Sequence, residues 1–164
     1  MRKVNINRKY SAKSSDFLHL FRRVNRELMQ FVHKTALEHG LTVPQYSLLM
    51  TIAPNKEITQ KKLGEIVQIP KSTLSQSVDG LVQAGWIERD PVPDNRREMQ
   101  LILSEKGKIL YETIAQKKGT IHQVIDSVLN TLTEKQFEEI QATLLHIADS
   151  LEKETSTKGN TQND

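Results

Sequence analysis

Residues 62–107, KLGEIVQIPKSTLSQSVDGLVQAGWIERDPVPDNRREMQLILSEKG, decide the fold. A first helix opens at Thr59, whose hydroxyl can cap free backbone N–H groups, and carries Leu63, Ile66 and Val67 at the spacing of one buried face. Ile69-Pro70 ends it, because proline disfavours helical geometry in the residue before it and suits the first turn of a new helix. The second helix, Lys71 to Ala84, has two faces: Leu74, Val78, Leu81 and Val82 recur at helical spacing, while Lys71, Ser72, Thr73, Ser75 and Gln76 gather on the other side at its N-terminal end. Gly85 stands where a left-handed helix terminus is expected, and Trp86 to Arg89 reads as a short strand. Asp90-Pro91-Val92-Pro93-Asp94-Asn95 reads as an exposed turn without regular structure. Met99, Leu101 and Leu103 then mark a return strand, although Ile102 blurs the alternation.

Two short helices followed by a two-stranded ribbon are the layout of a winged helix-turn-helix. The expected class is mainly α with a small two- to three-stranded antiparallel β wing. Such a unit points to double-stranded DNA. Its second helix enters the major groove with its N-terminal residues towards base edges, where Gln can bond adenine and Ser or Thr can meet bases or phosphates. Thr59, Gln60, Lys71, Ser72, Thr73, Ser75 and Gln76 are therefore the candidate contacts, together with Arg96 and Arg97 near the ribbon tip. Guanidinium groups on a projecting loop suit phosphates or a narrow minor groove. Taken alone, the polar helix face also reads as solvated surface and the arginine pair as surface charge; the surrounding layout is what favours DNA. A winged helix serving as a protein-interaction module is the alternative.

At these residues the chain resembles the MarR family of bacterial winged-helix regulators. The family's wing typically carries Asp-x-Arg, an apolar strand and a Leu-Thr-x-x-Gly-like helix start; here the stretch runs from Asn95-Arg96-Arg97 through Leu101-Ile102-Leu103-Ser104 to Gly107. Leu41-Thr42-Val43-Pro44-Gln45-Tyr46-Ser47-Leu48-Leu49 is similar to the family's helix preceding the DNA-binding unit, and Leu81 to Ile87 to its recognition-helix exit. The resemblance spans about residues 15–153. One position departs from it: Asn95 stands where the family has the Asp that helps to hold the wing arginine, with Asp94 one place earlier. The resemblance implies a homodimer and, for many members, a small anionic or aromatic effector bound between the dimer helices and the DNA-binding lobe. Tyr46, Trp86, His19 and Arg23 have suitable chemistry for such a molecule, and the junctions around Gly40 and Gly107 read as hinges. The ligand site itself is left open.

A winged helix needs about seventy residues, and the flanks of this 164-residue chain read as helices. Phe17, Leu20, Phe21, Val24, Leu28, Phe31 and Val32 form an apolar stripe behind a cap at Ser15, ending near His39-Gly40. After the wing, Ser104 begins a helix expected to run through Ile109, Ile114, Ile121 and Val128 to Leu129. Thr133-Glu134-Lys135-Gln136 is a capping box for a last helix bearing Phe137, Ile140, Leu144, Ile147, Ala148 and Leu151. Stripes on both sides of a central unit are most economically buried by exchange between two copies, and two-fold symmetry then predicts a pseudo-palindromic operator. A monomer whose terminal helices pack on the central unit is the other possibility. The expected division is a basic flexible arm over 1–14, an N-terminal dimerisation helix over 15–40, a DNA-binding domain over 41–106, C-terminal dimerisation helices over 107–153 and a disordered tail over 154–164.

The net charge of +3 is unevenly spread: residues 1–26 hold eight Lys or Arg against one Asp, and residues 134–164 hold three against seven acids. Arg2, Lys3, Arg8, Lys9 and Lys13 form either a phosphate-touching arm or a solubilising tail. No apolar run approaches the length of a membrane span and the basic start lacks the apolar core of a signal peptide, so a cytoplasmic protein with no membrane partner is expected. The absence of cysteine excludes disulfides, thiolate zinc and thiol-based oxidant sensing. His19, His33, His39, His122 and His146 lack metal-site spacing, and Ser, His and Asp show no catalytic pattern. Neither metal nor cofactor nor catalysis is expected. The functional expectation is a sequence-specific regulator of transcription, a repressor because a bound dimer can occlude a promoter, and released if an effector exists.

Overall fold

The computed structural model describes residues 11–93 and 95–159, apart from the side chains of Arg96 and of residues 157–159. Arg2, Lys3, Arg8 and Lys9 of the expected basic arm, and Asp94 of the wing turn, lie outside the described residues. The elements run α1 (Ala12–Glu38), α2 (Val43–Ile52), β1 (Ile58–Thr59), α3 (Gln60–Val67), α4 (Lys71–Gln83), β2 (Ile87–Val92), β3 (Asn95–Leu103), α5 (Glu105–Gln116), α6 (Ile121–Leu129) and α7 (Glu134–Gly159). The described chain forms two compact units divided between Ile121 and His122.

In the first unit, local caps start most helices. Thr42 and Gln45 form a reciprocal capping box on α2. Thr59 accepts from Lys62 N to open α3, and Ser104 accepts from Gly107 N to open α5. The three strands form one antiparallel sheet in the order β1-β3-β2. The core lies beneath it: Leu48, Leu49, Leu63, Val78, Leu81 and Leu101 are each 0% exposed, and Ile52, Ile87 and Ile114 join them. Burying a side chain of this size contributes about 1.5–3 kcal/mol. The C-terminal half of α1 reaches this core through Val32 and Ala36; its N-terminal half, bearing Phe17, Leu20, Phe21 and Val24, stays exposed.

Several boundaries differ from the sequence reading, each for a local reason. The first helix starts before the expected cap, because Ser11 rather than Ser15 caps it by accepting from Ser14 N. Lys13 therefore lies in α1 and not in an arm. Asp90, Pro91 and Val92 belong to β2, with a register shift between Pro91 and Val92. Proline is accommodated because β2 is an edge strand, where its missing N–H removes no ladder bond on the open side. The apolar periodicity from Ser104 to Leu129 is carried by two helices, since Lys117 turns to extended geometry at φ −69° and ψ 133° and stops α5. Finally, α7 continues through Gly159, so residues 154–159 are helical and not a disordered tail. Thr155 and Ser156 hydroxyls both donate to the Glu152 carbonyl along that last stretch.

In the second unit, the expected capping box holds: Thr133 N donates to Gln136 Oε1 at 2.9 Å and Gln136 N to Thr133 Oγ1 at 3.3 Å. Phe137, Ile140, Leu144, Leu145 and Leu151 are exposed along α7.

Candidate nucleic-acid interface

The turn between α3 and α4 is tight for two reasons. Gln68 takes the left-handed conformation at φ 50°, ψ 38°, which closes α3 two residues before Pro70. A left-handed geometry in a non-glycine residue costs about 1 kcal/mol or more and persists where the surroundings impose it. Pro70 then stands at the N-cap of α4, which has no side-chain cap hydrogen bond. The first N–H groups of α4 are thereby left for solvent or an anion.

Along α4 the burial follows the expected split. Leu74, Ser77, Val78 and Leu81 are buried, Lys71, Ser72, Ser75 and Gln76 are exposed, and Thr73 is half-buried. Thr59 is committed to its capping bond and to β1, where it pairs with Gln100 of β3; Gln60, the first residue of α3, is half-buried. In the wing, Asn95 Oδ1 accepts from Arg97 N at 3.3 Å and Asn95 Nδ2 donates to Glu98 Oε2 at 3.4 Å, so that a single side-chain amide shapes the ribbon tip. Gln100 donates to the Glu57 carboxylate and ties β3 to the segment before β1.

A groove of about 670 Å³ between α3, α4 and β3 brings together Gln60, Lys71, Ser75 and Arg97. Ser72, Thr73 and Gln76 do not line it, although they lie on the same helix. Arg97 is exposed. Among the described residues neither Lys71 nor Arg97 has an ion-pair partner, whereas Lys62 pairs with Glu65 at 3.5 Å. Lys61, Glu65, Glu98 and Met99 also line the groove and were missed by the sequence reading. Lys61 could have been found from its place beside Gln60 in the first turn of α3. Glu98 and Met99 could not, because only the register of β3 turns them towards the helices.

Behind this face, α4 is locked to α5. Ser104 Oγ donates to the Gly85 carbonyl at 2.6 Å, Lys106 Nζ donates to the Ala84 carbonyl at 2.8 Å, and the same ammonium lies 5.8 Å from the Trp86 ring centroid. Gly85 adopts φ +73° as expected at the helix exit. Gly107 packs so closely that a Cβ there would fall 1.9 Å from the Trp86 carbonyl oxygen. The junction at Gly107, read as a hinge from the sequence, is close-packed against Trp86. Trp86 belongs to that joint, Tyr46 is buried in the core, where burial pushes its hydroxyl pKa up, and His19 and Arg23 are exposed on α1. None of the four lines the groove. Among the described residues no group of three or more His, Asp or Glu is placed to hold a metal ion, and no helix is long and apolar enough to cross a membrane.

The model of the MarR family matches residues 39–98, from the end of α1 into the wing. An HTH-type transcriptional regulator of Bacillus subtilis (strain 168), YybA, itself uncharacterised, is 30% identical over 122 residues, covering 73% of this chain and 79% of the relative. Sco3205, a MarR family transcriptional regulator from Streptomyces coelicolor solved in complex with DNA, shares the fold with a TM-score of 0.73 at 22% identity, over 88% of this chain and 91% of that one. NadR in complex with 4-hydroxyphenylacetate shares it with a TM-score of 0.67 at 18% identity, over 85% and 94%. The chain belongs to the MarR family of winged-helix proteins and is a DNA-binding regulator of transcription.

Proposed function

We propose that the chain is a homodimeric repressor that presents α4 to the major groove and the wing to the flanking backbone of a pseudo-palindromic operator. Lys71, Ser72, Thr73, Ser75 and Gln76 are the contacts from α4, with Gln76 the candidate for reading adenine. Arg96 and Arg97 contact phosphate or the minor groove, and Thr59 and Gln60 support the approach of α3 to the backbone. The observation that carries this reading is the groove in which Gln60, Lys71, Ser75 and Arg97 converge beside the uncapped N-terminus of α4.

Residues 41–106 are the DNA-binding domain in this reading. The apolar stripes of α1 and α7 form the dimer with a second copy, which accounts for the exposure of Phe17, Phe21, Ile140 and Leu144 in the single chain. A protein of this kind works in the cytoplasm and has no catalytic role. Regulation by a small molecule would operate by population shift, an effector favouring dimers whose recognition helices are wrongly spaced for the operator. The aromatic acid bound by NadR makes small aromatic anions the class to test first.

The test is a fluorescence-anisotropy titration against DNA from upstream of the protein's own gene and against scrambled DNA, at several salt concentrations. A preference of about a thousandfold or more for one duplex is expected of an operator-binding protein. Equal and steeply salt-dependent binding to every duplex would overturn the reading.

A further inference from the structure

Asp79 lies one turn beyond Ser75 and two beyond Ser72 on α4, so it shares their helix face, and its side chain is 60% exposed. A carboxylate there faces whatever the serines face, and against DNA it would repel phosphate. Arg89 answers it. From β2, where it pairs with Leu101 of β3, Arg89 Nη1 donates to Asp79 Oδ1 at 2.7 Å, and its side chain is only 33% exposed. Among the described residues this is the one ion pair that joins α4 to the ribbon. At the ribbon's base Ile87 is buried and Trp86 N donates to the Leu81 carbonyl at 3.0 Å, while β2 becomes irregular further out between Pro91 and Val92.

Exposed ion pairs contribute little to folding, so stability gives no sufficient reason for this one. Position does. We propose that Asp79 and Arg89 are a positioning pair for operator binding: their bond masks the carboxylate on the reading side of α4 and braces the ribbon, so that helix and wing meet DNA in one fixed relation. Arg89 is thereby assigned to Asp79 and not to phosphate, in contrast to Arg97, which has no ion-pair partner among the described residues. This inference rests on the reading of α4 and the wing as the DNA-contacting elements.

The experiment starts by selecting a duplex from a random pool with the wild-type full chain. A pool that yields no duplex preferred over scrambled DNA overturns the DNA-contact reading, and the brace with it. With a selected duplex, Arg89→Gln, Asp79→Asn and the double variant are titrated across a salt series, and their thermal midpoints are measured. Each single substitution is expected to weaken specific binding about tenfold, and the double to bind no more weakly than Arg89→Gln alone, as for two groups acting through one bond. The midpoints stay at the wild-type value. The salt slope of Arg89→Gln also stays at the wild-type value, because no phosphate contact is lost. A slope shallower by about 0.9 would make Arg89 a phosphate ligand and overturn the proposal while leaving the DNA-binding reading intact. Additive losses in the double variant, or losses that track a lowered midpoint, would overturn it equally.

Discussion

The winged-helix region and the flanking helices use the same apolar residues to opposite ends. Around α2, α3 and α4, Leu48, Leu49, Leu63 and Leu81 are completely buried within one chain. Along the first half of α1 the exposures are 41% for Phe17, 58% for Leu20, 54% for Phe21 and 57% for Val24, and along α7 they are 43% for Ile140 and 52% for Leu144. The first region completes its own core; the second carries half of one. Monomeric proteins rarely expose apolar stripes of this extent, so in the dimer proposed above the difference separates what folds the DNA-binding lobe from what assembles it.

The strongest way to break that comparison is to spoil the open stripe alone. Phe17 and Phe21 stack with ring centroids 6.1 Å apart. Replacing both with Ser removes two rings from each protomer's side of the proposed interface, and the dimer is expected to weaken by at least about a thousandfold, or about 4 kcal/mol. Sedimentation equilibrium should show the change as a halved mass at micromolar concentration, with helical circular dichroism retained. An unchanged mass would remove the stripe from the interface. Next in size is the converse substitution: Leu81→Ala, in the closed core, should cost about 3 kcal/mol in urea denaturation. That loss should be the same at every protein concentration, whereas a loss from Leu20→Ala should vanish on dilution.

The two regions also differ in how far the sequence revealed them. The division of α4 into faces, and the caps at Thr59, Ser104 and Thr133, were legible because each depends on residues within one or two turns. The extent of the apolar stripes was legible too, but not which half of α1 would find a partner in its own chain, since Val24 and Val32 are the same residue type and only tertiary packing separates them. β1 was hidden because two residues have no periodicity; only pairing with Gln100 and Leu101 makes Ile58-Thr59 a strand. Pro91 was misleading because an edge position, which sequence does not announce, admits proline. In the site, Arg97 was found from turn chemistry, whereas Asp79 and Arg89, ten residues apart on a helix and a strand, meet only through the register of the sheet.

A smaller effect sharpens the comparison inside the closed region, between Arg97, without an ion-pair partner among the described residues, and Arg89, bound to Asp79. Arg97→Ala should weaken operator binding about tenfold, or about 1.4 kcal/mol, and make the salt slope shallower by about 0.9, with base preference unchanged. Anisotropy titrations at several salt concentrations would read both. An altered base preference at an unchanged slope would mean that Arg97 reads bases through the minor groove and does not bind phosphate.

The smallest effect concerns the seam where α1 meets the end of α5. Lys117 Nζ donates to Glu38 Oε2 at 2.5 Å, with the two side chains 39% and 35% exposed. That hydrogen bond, opposed by partial burial and aided by the charges of Lys117, Lys34 and His39, holds the Glu38 carboxyl below the ordinary carboxylate value. A carboxyl lowered on folding favours the folded state once the unfolded chain's carboxyl is ionised, and the contribution disappears as pH falls through the lowered native value. Lys117→Met should therefore have a slightly lower thermal midpoint than wild type at neutral pH, and the two curves should converge as the pH drops below the ordinary carboxylate range. A gap that persists in acid would show that Lys117 acts there through the packing of its methylenes and not through its charge, which would place the seam with the closed core and not with the charged surface.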